Sequence, residues 1–197
     1  MKIILGNISK SYGEKKVIDN LSFTFKSGKP VVIEGESGIG KTTLLRLITG
    51  LETPDSGSIT FDGIAREKCR FAPVFQETRL IESLDAVTNI KLIDRSLPEE
   101  KIISALTSLI PADEIRKKAG ELSGGTARRV EIVRAILSPS DVLIMDEPLT
   151  GLDEENAVKV VSYIQDNVGD RLFITSSHSK LFGKWCSSFD LSLLRND

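Results

Sequence analysis

Residues 35–42 read Gly-Glu-Ser-Gly-Ile-Gly-Lys-Thr, the spacing G-x-x-x-x-G-K-T that lets a backbone wrap around phosphate oxygens. Gly35 and Gly40 permit the tight turns that aim successive N–H groups at one point, forming an anion-binding nest. Lys41 adds a positive charge directed at the β- and γ-phosphates, and the Thr42 hydroxyl can ligate Mg²⁺. Val31, Val32 and Ile33 precede the loop as a β-branched run fit for a buried strand. The run Thr43, Leu44, Leu45, Arg46, Leu47, Ile48 follows it as a good helix former. The positive end of that helix dipole falls on the same phosphates.

The rest of the chain supplies the sheet around this loop. Leu21, Phe23 and Phe25 alternate with Ser22 and Thr24, and Ile59 and Phe61 alternate with Ser58 and Thr60, after a turn at Pro54, Asp55, Ser56 and Gly57. Residues 70–75 are a further short strand. From about Ser83 to Ser138 helical pattern dominates. Ser96, Leu97, Pro98 and Glu99 have capping-box spacing, which predicts a helix from there to about Ile110. Residues 141–145 return to a continuous apolar run, 154–168 are helical, and 172–175 form another buried strand. Strands alternating with helices imply a largely parallel sheet. At 197 residues the chain is long enough for one domain with a full core.

Two further stretches carry chemistry. Val142, Leu143, Ile144 and Met145 run into Asp146 and Glu147. Ligands of α/β sheets collect at the carboxyl ends of strands, where one carboxylate can support Mg²⁺ and a second can polarise an attacking water. Leu122, Ser123, Gly124, Gly125 and Thr126 precede a long helical stretch, Ala127 to Leu137. Ser123 is a good N-cap there, and the glycines expose amides to an anion.

The phosphate loop, Leu122-Ser123-Gly124-Gly125, Met145-Asp146-Glu147-Pro148 and Gly151-Leu152-Asp153 occur in that order. Together they resemble the ATP-binding-cassette (ABC) ATPases, specifically the nucleotide-binding subunit of an ABC transporter, over nearly the whole chain. The resemblance implies a P-loop NTPase of α/β class: a mainly parallel core sheet, an N-terminal antiparallel β portion and an inserted α-helical subdomain. It implies one ABC ATPase domain over 1–197, with 1–80 and 139–197 as the core and about 81–138 as the helical subdomain.

Residue by residue, Gly35, Glu36, Ser37, Gly38, Ile39, Gly40, Lys41, Thr42 and Thr43 match the Walker A loop. Asp146 matches the Walker B aspartate that supports Mg²⁺ with Thr42, and Glu147 the general base. Gln76, in Val74-Phe75-Gln76-Glu77, matches the glutamine that senses Mg²⁺ and the γ-phosphate. His178, the only histidine, matches the switch histidine, and Tyr12 the aromatic that stacks on adenine. Ser123, Gly124, Gly125 and Asp153 are expected to complete the ATP site of a second ABC ATPase subunit in a head-to-tail dimer. Thr126, Leu149 and Ser179 depart from the common pattern, and none removes a catalytic group.

Residues 74–80 look like importer-type ATPases of the nitrate, sulfonate and taurine group. The expected partners are therefore a second cassette, transmembrane permease subunits and, through the permease, a solute-binding protein, with the chain peripheral on the cytoplasmic face of the membrane. The alternative is a soluble ABC ATPase outside transport. A formal net charge of -2 gives no global attraction to nucleic acid, and none is expected as a partner. No stretch approaches the ~20 apolar residues of a membrane span. Cys69 and Cys186 match no metal-ligand spacing, and reduced thiols are expected.

Overall fold

The structure is a computed structural model and describes residues 1–62 and 65–194. Two compact units make up the chain. Met1–Pro73, Ser140–Glu147 and Asp170–Asp197 form the first, and Val74–Pro139 with Pro148–Gly169 the second.

The first unit carries β1 (Lys2–Tyr12), β2 (Lys15–Lys26), β3 (Val31–Glu34), α1 (Lys41–Thr49), β4 (Ser56–Phe61), β5 (Phe71–Val74), β6 (Val142–Asp146), β7 (Leu172–Ser176) and β8 (Ser187–Asp190). An antiparallel sheet of order β2-β1-β4 pairs Ile3 with Phe25 and Phe61, and Leu5 with Phe23 and Ile59. A five-stranded sheet has the order β5-β6-β7-β3-β8, in which β3 runs parallel to β7 and β8, and β6 parallel to β7. The strands β6 and β7 are buried along their whole length, which is why they read as unbroken apolar runs.

β1 and β8 were not anticipated from the sequence pattern. In β1 a register shift falls between Leu5 and Ile8, where Asn7 takes a left-handed φ of 51°, so the period-two alternation breaks in mid-strand. β8 holds one buried apolar residue, Phe189, and depends on its pairing with β3.

Helix α1 buries Leu44, Leu45, Leu47 and Ile48 completely, each contributing ~1.5–3 kcal/mol of burial. It stops at Gly50, whose left-handed backbone returns its N–H to the carbonyls of Arg46 and Leu47.

The second unit carries α2 (Ala86–Lys91), α3 (Glu99–Thr107), α4 (Gly124–Leu137) and α5 (Glu154–Asn167). α4 packs against the other three helices, burying Val130, Ile132 and Val133 against a core that includes Val87, Ile90, Ile102, Leu106, Val160 and Ile164. Residues 74–80 and 148–169 group with the helices. The reasons are that α4 binds the backbone of residues 75–79 and that α5 packs on α4.

The start of α3 also differs from the capping-box reading. Pro98 is its N-cap and Ser96 caps nothing, because the Ser96 N–H and hydroxyl both turn back to Asp94 at 2.9 and 2.6 Å. Glu99 pairs with Lys91 and Arg116.

Asp141, just before β6, fastens that strand to β5. Its Oδ2 accepts the Arg70 N–H at 2.9 Å, and Oδ1 the Arg70 guanidinium at 3.3 Å. The guanidinium and that backbone N–H hold the Asp141 carboxyl below the ordinary aspartate value of 3.8. Since the folded-state pKa lies below the unfolded one, the stabilisation is complete above that ordinary value and is lost as pH falls through the depressed one. The wild type should therefore lose stability below about pH 4, and Asp141→Asn should be less stable at neutral pH with a flatter acid limb in urea unfolding. Parallel acid limbs for the two proteins would refute this.

Candidate active site

The parallel register of β6, β7 and β3 sets the site. Asp146 lies beside Ser176, and Ser176 beside Ile33. Three chain segments therefore leave the sheet side by side: the loop after β3, the turn after β6, and the turn after β7.

In the loop after β3, Gly35, Gly38 and Gly40 have φ of 132°, 76° and 117°. A Cβ on Gly40 would stand 2.8 Å from Val17 Cγ1, so this position takes glycine for space as well as conformation. Ile39 is buried and anchors the loop, whereas Glu36 and Ser37 are exposed at its tip. Gly40 caps α1 without a side chain. Lys41 is buried, and its ammonium donates to the carbonyls of Gly35 at 2.7 Å and Glu36 at 3.2 Å.

Asp146 is fully buried and is held from two sides. Thr42 Oγ1 donates to its Oδ2 at 2.6 Å, and Ser176 Oγ to its Oδ1 at 2.5 Å. Glu147 follows in a left-handed conformation, φ 47°, which costs a non-glycine residue on the order of 1–3 kcal/mol. Its N–H donates to Ser176 Oγ at 2.9 Å and to Ser176 O at 3.2 Å. The strained turn is thus locked by the same serine that holds Asp146. Sequence reasoning missed Ser176. The available signal was a hydroxyl at the end of the apolar run 172–174, next to His178.

The Glu147 carboxylate is 12% exposed, and Oε1 accepts no hydrogen bond although His178 Nε2 and Lys41 Nζ stand 3.3 and 3.8 Å away. Lys41 Nζ lies 3.1 Å from His178 Nε2. An ammonium can only donate, so Nε2 accepts from it and the imidazole proton sits on Nδ1. His178 then has no Nε2 proton to give Glu147. Its main-chain N–H donates to Glu147 Oε2 at 3.3 Å. A buried carboxylate oxygen with an open lone pair beside a lysine and a histidine can accept a proton from a water molecule.

Tyr12 is 47% exposed; its hydroxyl pairs with Glu52, and Lys10 Nζ lies 5.7 Å from the ring centroid. Burial, then the Glu52 contact, raises the phenol pKa above its ordinary value. Thr43 stands in the first turn of α1.

The donor set fits Mg²⁺. Thr42 and Asp146 offer hard oxygen donors at one point, and no group of three or more His, Cys, Asp or Glu among the described residues forms a cage of its own. Mg²⁺ commonly binds through one or two protein oxygens, with substrate phosphates and water completing its octahedron.

The second unit brings together the remaining expected residues. Gln76, Ser123, Gly124, Gly125 and Asp153 line one hollow with Arg129 and Asn156. Ser123 caps α4, accepting the Thr126 N–H at 3.1 Å. The glycines expected just ahead of the helix form its first turn instead. Gly124 has open space at its Cβ position, whereas a Cβ on Gly125 would crowd Gly151 O and Leu152 Cδ2, both at 3.2 Å.

Arg129 ties these parts together, donating to Gly125 O, Thr126 Oγ1, Leu109 O and, at 2.8 Å, Asn156 Oδ1. Asn156 in turn donates to both carboxylate oxygens of Asp153, which holds that carboxyl below its ordinary pKa. Thr126, an unusual residue at its place, serves as a buried acceptor for Arg129. Leu149 is buried, and the Ser179 hydroxyl accepts the Leu181 N–H.

A family model for the ABC transporter domain matches residues 18–150. The chain belongs to the ABC transporter family. This ABC chain is 37% identical over 180 residues to the phosphonates import ATP-binding protein of Halobacterium salinarum, covering 83% of the chain and 64% of that protein. It is 36% identical over 172 residues to an aliphatic sulfonates import ATP-binding protein of Rhodococcus jostii, covering 86% of the chain and 60% of that protein. The chain thus spans less than two thirds of the length of either relative. A solved structure described as an ABC transporter ATP-binding protein of Pyrococcus furiosus superimposes over 100% of both chains with a TM-score of 0.89 and 26% identity. The ABC fold expected from the motifs is the one observed.

Ser176→Ala should leave Asp146 Oδ1 without its donor and loosen the Glu147 turn. A loss of ~1–3 kcal/mol is expected in denaturant unfolding, with Ser176→Thr closer to wild type. An alanine variant as stable as wild type would show that the lock contributes nothing.

Proposed function

We propose that this ABC chain is one ATPase domain that hydrolyses ATP in the first unit and energises solute import through a membrane partner. The observation that carries the reading is the buried Glu147 Oε1, which accepts no hydrogen bond and lies 3.8 Å from Lys41 Nζ, together with the Thr42–Asp146 pair.

In this reading the amides of residues 35–43 cradle the phosphates and Lys41 neutralises charge on the β- and γ-oxygens. Tyr12 stacks on adenine. Thr42 and Asp146 would hold Mg²⁺, which supplies charge neutralisation at the phosphate oxygens when bound, and Gln76 would serve as its sensor. Glu147 takes a proton from water as the water oxygen forms its bond to the γ-phosphorus. The bond from that phosphorus to the β–γ bridging oxygen breaks, and ADP and phosphate result. His178 orients the same water, held in its tautomer by Lys41.

Ser123, Gly124, Gly125 and Asp153 serve the ATP of a second cassette, whose copy serves this one. The import role is supported by the relatives, both import ATP-binding proteins. No helix among the described residues is long and apolar enough to cross a membrane, so the spanning part belongs elsewhere in this reading. Ile81, Leu92 and Ile93 are exposed apolar residues of the second unit, open in this reading to contact with a permease at the cytoplasmic surface.

Tagged chain extracted from its native cells in mild detergent should carry an integral membrane protein with it and hydrolyse ATP only with Mg²⁺. Glu147→Gln in that complex should retain ATP while turnover falls ~10²–10⁴-fold. Unchanged hydrolysis in the variant would sink the general-base assignment, and recovery without any membrane protein would sink the transport role.

A further inference from the structure

On α4, Arg128, Glu131 and Arg134 recur every third residue and so share one helix face. That face is turned inward: Arg128 is 6% and Glu131 3% exposed. Burying charge costs several kcal/mol per ion unless it is well partnered, so a charged stripe here needs an account. Apolar residues would pack a helix–loop contact without that cost.

The stripe's partners are mainly backbone, and they lie in one short segment. Arg128 donates from its two terminal nitrogens to the carbonyls of Phe75 and Gln76. Glu131 Oε1 accepts the Arg79 N–H at 2.5 Å, and Arg134 donates to the Arg79 carbonyl at 2.9 Å. Glu131 also bridges the two guanidiniums, at 3.3 Å to Arg128 and 3.5 Å to Arg134. The Arg79 guanidinium folds back over the Phe75 ring, 5.3 Å from its centroid. Among the described residues no main-chain hydrogen bond closes residues 75–79, so α4 fixes both ends of this turn from outside. The Gln76 residue is left exposed at the lip of the hollow.

We propose that Arg128 and Glu131 are positioning residues for Gln76: they lock the backbone on either side of it to the helix whose first turn carries Gly124 and Gly125. The inference rests on the reading of Gln76 as a sensor of Mg²⁺ and the γ-phosphate. Ser123 and Glu131 are eight positions apart, ~12 Å at the helical rise. A displacement of α4 at its glycine end therefore carries the Gln76 turn with it. Arginine suits the first position because its planar fork satisfies two carbonyls at once, which the single ammonium of lysine does not reproduce.

The test compares wild type, Arg128→Lys, Gln76→Ala and the double variant in the complete ATPase, with Glu131→Gln as a second probe of the clamp should Arg128→Lys fail to fold. Amide hydrogen exchange should rise at least ~10-fold in Arg128→Lys at Arg79, whose N–H is bonded to Glu131, and not for the buried core of α4. Turnover should fall roughly 3- to 30-fold, the range for networked neighbours, with a higher Mg²⁺ half-saturation and unchanged ATP binding in EDTA. In the Gln76→Ala background, Arg128→Lys should add no further loss. The same factor of loss in both backgrounds would mean a general structural role and overturn the inference, as would unchanged exchange at the Arg79 amide. If Gln76→Ala alone leaves turnover and Mg²⁺ dependence untouched while Arg128→Lys still frees the segment, the sensor reading fails, and the role assigned to the clamp fails with it.

Discussion

Asp146 is gripped by a hydroxyl on each side, Thr42 from the start of α1 and Ser176 from the end of β7, and the geometry around it follows from that grip. The carboxylate is fully buried, and the hydrogen bonds to both of its oxygens offset the cost of that burial. Once it is placed, the Thr42 end of the phosphate loop is fixed to the end of β6. The next peptide is forced into a left-handed turn that Ser176 then secures. What results is a carboxylate, Glu147, delivered to a lysine and a histidine with one oxygen left open.

Part of this was legible because a few positions tolerate few residue types. Gly35 and Gly40 need positive φ, and Gly40 also lacks room for a Cβ. Asp146 and Glu147 end an apolar strand, and buried strands announce themselves by an unbroken run. What stayed hidden depends on pairing across the sheet. Ser176 is one of two adjacent serines in the sequence, and only its register opposite Asp146 singles it out. β1 was hidden by its irregular register and β8 by its polar composition. The α3 start was misread because Asp94, two residues upstream, competes for Ser96.

The second unit shows a different economy of means. The residues lining its hollow are held by long polar side chains that reach backbone rather than by apolar packing alone. Arg129 spans Gly125, Leu109 and Asn156, while Arg128 and Glu131 hold the turn around Gln76. Burial drives the Glu131 pKa upward against the hydrogen bond from Arg79 and the charges of Arg128 and Arg134. Such networks have few alternative arrangements, because each partner lost leaves a buried polar group unpaired. That makes them suited to moving as one piece.

The central claim is that Glu147 acts as a base from a backbone conformation that glycine also accepts. Glu147→Gly should therefore fold at least as well as wild type, since glycine relieves the strain at φ 47°, while removing the carboxylate and leaving space for a small one. Turnover of this variant measured against formate concentration is the most direct test. The account predicts a near-inactive protein whose hydrolysis returns saturably as formate is added, with no such return in Lys41→Ala. Wild-type turnover by Glu147→Gly without formate would contradict it.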